Sequence, residues 1–440
     1  MMKKKRTETK EKIFGGVIGL CVADALGVPV ESESRESLAH NPVTDMRGYG
    51  TYNQPLGTWS DDTSLTLCLL DSLTSGLDYT DIMNKFSAWS DFGEYTAHGK
   101  SFDIGLTTKD ALLRFAEGTE PLMCGGQSEN NASNGSLMRI LPLAFYLHSL
   151  YGDDFTGNDE AFDIIHNVSS LTHAHKRCLI SCGIYISIAG GLLAGSDIER
   201  AVHNGLQSAK KYYESKSEYS SELKHFERLF SSDFRNLPQE SIKSSGYAVD
   251  TLEAAIWCIL NTDSYENCVL KAVNLGEDTD TVAAVAGGLV GMGEGISLSN
   301  IPKEWMNQVA RLDYIKELCL AFYISLRKSS LQNLCSYISF FENADPEVAY
   351  QYNPDGKFGE FLDDFHQSGI ASFNYIITMN KIYVGDLESI EKADLETLAT
   401  FFTGCIRAED LCSGMWSLYI RDGVFLAILR RLEVLLLTDA

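Results

Sequence analysis

Gly57-Thr58-Trp59-Ser60-Asp61-Asp62-Thr63 sets two adjacent carboxylates behind a serine and ahead of the apolar positions Leu65, Leu67, Leu69 and Leu70. That order predicts the first turn of a buried helix, with Thr58 or Ser60 as its cap and the acids well placed against the helix dipole. Taken alone, such acids are explained by structure. The same chemistry recurs far along the chain, where Gly276-Glu277-Asp278-Thr279-Asp280-Thr281 precedes a small-residue apolar helix, Val282 to Val290. If the two helix starts meet, Asp61, Asp62, Asp278 and Asp280 bring four like charges together, each raising the others' pKa. A divalent cation resolves that conflict. With the Ser60 and Thr281 hydroxyls added, the donors are all oxygen, which suits Mg²⁺, Mn²⁺ or Ca²⁺ rather than zinc.

Around these stretches lies a chain of 440 residues, 45% hydrophobic, long enough for one large domain and a smaller one. A formal charge of −24 argues against tight binding to a nucleic-acid backbone, although a local basic groove is compatible with it. The 11 cysteines contain no C-x-x-C pair, and several, such as Cys68, Cys182 and Cys258, sit in apolar segments. They read as reduced, buried small hydrophobes, which together with the N-terminus predicts a cytoplasmic protein. Lys3-Lys4-Lys5-Arg6 and the apolar Ile13 to Ala25 imitate a secretory signal, but Glu8, Glu11, three glycines and Asp24 interrupt it. The longest apolar stretch, Cys178 to Gly195, holds two serines and four glycines and reads as a core helix rather than a membrane span.

Helical periodicity dominates. Ile13–Ala25, Leu65–Leu73, Ile82–Trp89, Thr108–Phe115, Leu137–Leu147, Ala161–Leu171, Leu179–Leu193, Leu252–Leu260 and Thr281–Val290 are each expected as buried or amphipathic helices. The charged and aromatic segment 207–240 reads as a solvated insertion. After about Arg327 the pattern changes, and Ile376 to Val384 is the first candidate for extended structure. The expected organisation is therefore a mainly α domain over 1–328 and a smaller α+β domain over 329–440.

Several loops are expected to feed the site. Gly125-Gly126-Gln127-Ser128-Glu129-Asn130-Asn131-Ala132-Ser133-Asn134-Gly135-Ser136 is small and polar and runs toward a helix expected near Leu137, whose first N–H groups can cradle a pyrophosphate. A plain connector has the same composition. Arg139 pairs either with phosphate or with a core carboxylate. His173 and His175, two apart, do not share a helix face and have no cysteine partner, so zinc is not expected. Asp24 suits a cap as well as catalysis, and Glu31 lies beyond the rigid exit Val28-Pro29-Val30.

Gly19-x4-Asp24-Ala25-Leu26-Gly27-x-Pro29-x-Glu31, Ser60-Asp61-Asp62-Thr63, Asn134-Gly135-Ser136-x-Met138-Arg139, Thr172-His173-x-His175 and Gly276-x-Asp278-x-Asp280-Thr281 together resemble, in order, the ADP-ribosylglycohydrolase family, which includes dinitrogenase reductase-activating glycohydrolase. The resemblance spans residues 13 to about 296. It implies an all-α fold around a cleft with two Mg²⁺ or Mn²⁺ ions, held by Ser60, Asp61, Asp62, Asp278, Asp280 and Thr281. Glu31 matches the family's movable glutamate and Asp103 a second active-site acid. Asp61, Asp62, Glu31 and Asp103 are thus the candidate catalytic carboxylates. The loop carrying Ser133, Asn134, Gly135 and Ser136 would hold the diphosphate, with His173 on the ADP-ribose and Tyr247 toward the adenosine end. Glu277 stands where the family often has a small residue, adding charge without removing a ligand.

The reaction this implies is hydrolysis of ADP-ribose from a modified protein, with arginine as the expected acceptor and serine, a nucleobase or a small molecule as rivals. A different reading makes the chain an immunity module that occludes an ADP-ribosyltransferase toxin through segment 207–240 and the C-terminal domain. A catalytically dead ADP-ribose binder is a third. Beyond 330, Thr403-Gly404-Cys405-Ile406-Arg407-Ala408-Glu409-Asp410-Leu411-Cys412-x-Gly414, with Gly423 and a helix from Val424 to Leu437, resembles a small bacterial domain of unknown function. Arg407, Glu409 and Asp410 there are read as a binding site or, preferably, a structural ion pair.

Overall fold

Two helices that start with acids cross the core of the larger unit, and the N-terminal helix joins them. A computed structural model describes residues 2–293, 300–344, 356–368, 370 and 386–438. It divides the chain into two compact units, Glu8–Tyr323 and Ile324–Ala440, with Met1–Thr7 grouped in the latter. Among the described residues there is no sheet, only three isolated bridges.

The first long helix, Met2–Gly27, is buried along Ile13–Leu26 by an almost uninterrupted run of small and aliphatic side chains. It crosses Thr279–Gly291 at backbone distance. A Cβ on Gly19 would lie 2.7 Å from the Gly287 carbonyl oxygen, and one on Gly27 would lie 2.3 Å from the Asp280 Cα. The Thr279 hydroxyl closes the crossing by donating to the Gly27 carbonyl at 2.9 Å. Every residue of Thr279–Gly291 is buried, which explains its apolar, small-residue composition.

Asp61–Thr74 is capped by Ser60, whose hydroxyl accepts from the Asp62 amide at 3.2 Å; Thr58 instead bonds the Pro55 carbonyl. The two stretches apolar enough to cross a membrane, Thr9–Val30 and Lys176–Leu193, are 94% and 89% buried inside the fold. Lys176–Leu193 packs on Ile198–Glu214, an amphipathic helix whose buried Ala201, Val202, Gly205, Leu206, Ala209 and Tyr213 recur at helical spacing.

That helix corrects one expectation. Residues 207–214 belong to it rather than to a solvated insertion, and within the irregular segment that follows, Phe226, Leu229 and Phe234 are buried. A second correction concerns the polar loop. The helix expected from Leu137 begins at Pro142 and runs to Tyr151, because proline suits the first helical position, while 135–139 form tight turns.

In the smaller unit the described residues form helices around an aromatic core of Phe341, Phe358, Phe361, Phe365, Phe402 and Phe425. The strand expected at Ile376–Val384 lies outside the described residues. The Glu409 carboxylate accepts from the Gly414 and Trp416 amides at 2.8 and 2.9 Å and so caps the helix Met415–Arg421.

Candidate active site

The two acidic helix starts meet. The Ser60 and Thr281 hydroxyls, from separate helices, donate to the same Asp62 Oδ2 at 3.1 and 3.2 Å. Beneath them Asp24, fully buried, accepts from the Ser60 amide at 3.0 Å, the Thr63 amide at 3.1 Å and the Thr63 hydroxyl at 2.6 Å. Asp24 therefore pins the start of Asp61–Thr74 to the N-terminal helix. Burial lifts its carboxyl to about 6, and these hydrogen bonds hold it from rising further.

Glu31 follows the short 3₁₀ turn Val28–Val30, which carries it over the Asp278–Asp280 end of the site. One carboxylate oxygen each from Glu31, Asp278 and Asp280 lies within 4.8 Å of the others. Burial, and next the charge of Asp103, raise Glu31 to about 8. Burial is also the chief cause that pushes Asp61, Asp62 and Asp280 well above the usual carboxylate range. Their neighbours add to it: Asp103 and Asp62 on Asp61, Asp24 and Asp278 on Asp62, Glu31 and Asp62 on Asp280. All six acids named for the site are thus gathered into one field.

Three buried oxygens in that field, Glu31 Oε2, Asp62 Oδ1 and Asp280 Oδ2, have no hydrogen-bond donor in the protein. One such orphan is costly, and three from three segments in one acidic field make a donor set that could hold a hard cation. The donor set fits one: carboxylates with two hydroxyls beside them, and no thiolate or imidazole among them.

Asp103 sits in the left-handed backbone region, φ 56°, in the loop between Tyr79–Phe92 and Leu106–Ala116. Its carboxylate is held by Tyr52, whose hydroxyl donates to Oδ1 at 2.6 Å. The Tyr52 ring packs on Phe102 at 5.1 Å. Tyr52 was not singled out in the sequence. It lies in a glycine-flanked turn with no periodicity, and only its partners reveal its role.

The polar loop is fastened to the site more tightly than its composition suggests. Ser133 bridges Tyr247, the Asn134 amide donates to the Gly246 carbonyl, and Ala248 donates to Ala132. The Asn134 side chain reaches Asp278 Oδ2 at 2.8 Å and Thr251 at 2.9 Å, so it ties the loop to the acidic cluster. Ser136 is fully buried and receives the Ser169 hydroxyl. His173, 1% exposed, has both ring nitrogens engaged, Nδ1 by Thr172 at 2.7 Å and Nε2 by Ser133 at 2.9 Å. It packs under Gly135, where a Cβ would lie 2.7 Å from the ring. From this group, half-buried Ser133 and the loop backbone remain to face a ligand. Tyr247, also half-buried, has the Arg177 guanidinium 6.0 Å from its ring centre, and Arg177 pairs with Glu222 at 2.7 Å and Glu129 at 3.1 Å. Glu277, exposed at φ 61°, exchanges backbone hydrogen bonds with Ser32 and Glu33 and thereby anchors the Glu31 loop.

Comparison with known proteins agrees with this geometry. Residues 5–332 match the ADP-ribosylglycohydrolase family model and residues 326–437 a family of unknown function (DUF6508). The chain is 32% identical over 314 residues to ADP-ribosylarginine hydrolase Tri1 of Serratia proteamaculans, covering 71% of this chain and 79% of that one. It is 28% identical over 304 residues to the ADP-ribosyl-[dinitrogen reductase] glycohydrolase of Rhodospirillum rubrum, covering 68% and 90%. A solved structure titled ADP-ribosylglycohydrolase-related protein complex aligns with a TM-score of 0.59 at 28% identity, over 73% of this chain and 99% of that one. The paired acidic helix starts and the family match over most of the length place this chain in the ADP-ribosylglycohydrolase family, as a hydrolase of ADP-ribosylated targets.

Proposed function

We propose that this enzyme cleaves the N-glycosidic bond between ADP-ribose and an arginine side chain on a modified protein, using two Mg²⁺ or Mn²⁺ ions. The observation that carries the reading is the cluster of Glu31, Asp278 and Asp280, with orphaned buried oxygens on Glu31, Asp62 and Asp280 and the Ser60 and Thr281 hydroxyls donating to Asp62. The names of the relatives support arginine as acceptor. Ser60, Asp61, Asp62, Asp278, Asp280 and Thr281 would hold the ions. When bound, these supply the positive charge that fixes ribose hydroxyls and lowers the pKa of water at the site.

The chain's own residues account for the rest. Breaking the C1″–N bond leaves oxocarbenium-like charge on the ribose, which the surrounding carboxylates stabilise. Water adds at C1″, and its proton passes to a carboxylate of the group Asp61, Asp62, Glu31 and Asp103. The departing guanidine takes a proton in turn. Tyr52 orients Asp103 for such transfers, and the tight packing around Gly27 keeps the acids in register. All 11 cysteines are free of disulfide bonds and nine of them buried, the pattern of a protein from a reducing compartment, and we place it in the cytoplasm.

Release of free ADP-ribose from an arginine-ADP-ribosylated protein, measured with Mg²⁺, with chelator and with Asp61→Asn, tests the reading. Release that needs metal and is lost in the variant is expected. Full activity of Asp61→Asn would sink the metal assignment, and release only from a serine-linked substrate would move the acceptor. An immunity role beside hydrolysis draws support from the Arg177–Glu222 pair, which docks the charged segment next to the substrate loop. Co-purification of a cognate ADP-ribosyltransferase tests it.

A further inference from the structure

Arg139 is fully buried, and its hydrogen-bond partners among the described residues are carbonyl and hydroxyl oxygens rather than the core carboxylate expected from sequence. One guanidinium nitrogen donates to the Gly135 carbonyl and the other to Thr172 Oγ1 at 2.9 Å, while the group lies 4.8 Å from the centre of the Phe86 ring. A buried cation held only by neutral groups is an expensive arrangement. What it supplies is direction, because arginine donates hydrogen bonds and never accepts them.

Thr172 Oγ1 accepts from Arg139, so its own hydrogen is satisfied by donating to His173 Nδ1, 2.7 Å away. Were Nδ1 protonated, the threonine hydrogen would be stranded in a fully buried position. Nδ1 is therefore the acceptor, and the ring proton lies on Nε2, which donates to Ser133 Oγ at 2.9 Å. Burial, helped by the Arg139 charge, lowers His173 to about 3 and keeps the ring neutral. The Ser133 hydroxyl, already an acceptor, has its hydrogen left for a group outside the protein. Its backbone is fixed by the bridge to Tyr247.

We propose that Arg139 is a positioning residue which, through Thr172 and His173, fixes the Ser133 hydroxyl as a donor toward a phosphoryl-bearing ligand in the cleft. The ligand class rests on the functional reading above; the direction of the relay does not. Arg139 thus sets the polarity of a group it never touches.

The test uses the full chain labelled with ¹⁵N-histidine. Long-range ¹H–¹⁵N correlation should show His173 as the neutral Nε2–H tautomer, assigned by its absence in His173→Gln. Thr172→Val, near-isosteric but unable to relay, should lose the single tautomer. It should also weaken ADP-ribose binding about tenfold, the loss of one hydrogen bond to a charged group, with adenosine binding unchanged. Thr172→Ser should restore both. A wild-type His173 in the Nδ1–H form, or a Thr172→Val protein with unaltered tautomer and ADP-ribose affinity, would overturn the relay. A wild-type protein with the expected tautomer that fails to bind ADP-ribose would overturn the ligand assignment and the functional reading, while the tautomer result stands.

Discussion

Replacing Asp280 by asparagine separates the stability of the site from its purpose. Asp280 is 1% exposed, its Oδ2 has no donor, and it shares a 4.8 Å cluster with Glu31 and Asp278. At that separation and an effective dielectric constant of about 20, a fully ionised pair repels by about 3 kcal/mol. Proton uptake relieves part of this, so neutralising one member should stabilise the cation-free protein by about 1–2 kcal/mol. Asparagine keeps the acceptor for the Thr281 amide at 2.9 Å and places an NH₂ donor where the unpartnered Oδ2 stood, within the cluster of Glu31 and Asp278. With cation present the order should reverse. The wild type gains about 2.7 kcal/mol at a hundredfold excess over Kd, whereas the variant, short of a ligand, gains little. Thermal unfolding of both proteins in chelator and in Mn²⁺ should show Asp280→Asn melting a few degrees higher in the first and lower in the second. A variant destabilised equally in both would refute the view that these acids are strained against one another for a cation.

Other perturbations have equally definite outcomes. Asp24→Ala leaves the Ser60 and Thr63 donors buried without an acceptor and should cost about 3 kcal/mol or more, read as a lower urea midpoint at unchanged m-value. Tyr52→Phe keeps the ring on Phe102 but removes the hydrogen bond to Asp103; kcat for ADP-ribose release should fall about 10- to 100-fold with the melting temperature within about two degrees of wild type. His166, buried between the Tyr213 and Tyr219 hydroxyls, is lowered by burial to about 4. The unfolded chain therefore binds its proton first, and the resulting stability is complete above about pH 6.5 and lost as pH falls toward 4, a total of about 3 kcal/mol. His166→Gln should flatten that part of a urea-denaturation pH profile.

Much of the site was legible because helix starts have local signatures. A serine before two acids and an apolar run is a cap whatever surrounds it, and the second acidic start at Asp278–Thr281 announces the same geometry. Glu31 was legible from the family pattern, though the orphaned oxygen that gives it meaning appears only in three dimensions. What escaped was set by contacts between loops. Tyr52 touches Asp103 across 51 residues, and nothing in Gly50-Thr51-Tyr52 encodes that. Arg139 meets no core carboxylate among the described residues, because the carbonyl and hydroxyl beneath the loop that it does meet are placed by turns rather than by periodicity. The helix start slid from Leu137 to Pro142 for a related reason: leucine periodicity continues across the turns, and only the proline marks where the helix can begin. Ile198–Glu214 was hidden by its charged outer face, although its buried positions repeat at helical spacing.

The crossing of Met2–Gly27 with Thr279–Gly291 also bears on synthesis. The hydrogen bond from Thr279 to Gly27 spans 252 residues, and that from Thr281 to Asp62 spans 219. A nascent chain halted before residue 279 carries Glu31, Asp61 and Asp62 but has no counterpart to assemble them against. The N-terminal helix, buried along Ile13–Leu26 once folded, must wait with its apolar face uncovered until that partner leaves the ribosome. Assembly of the acidic cluster is in this way deferred to the completed unit, and prematurely terminated products are left as aggregation-prone fragments without a formed site.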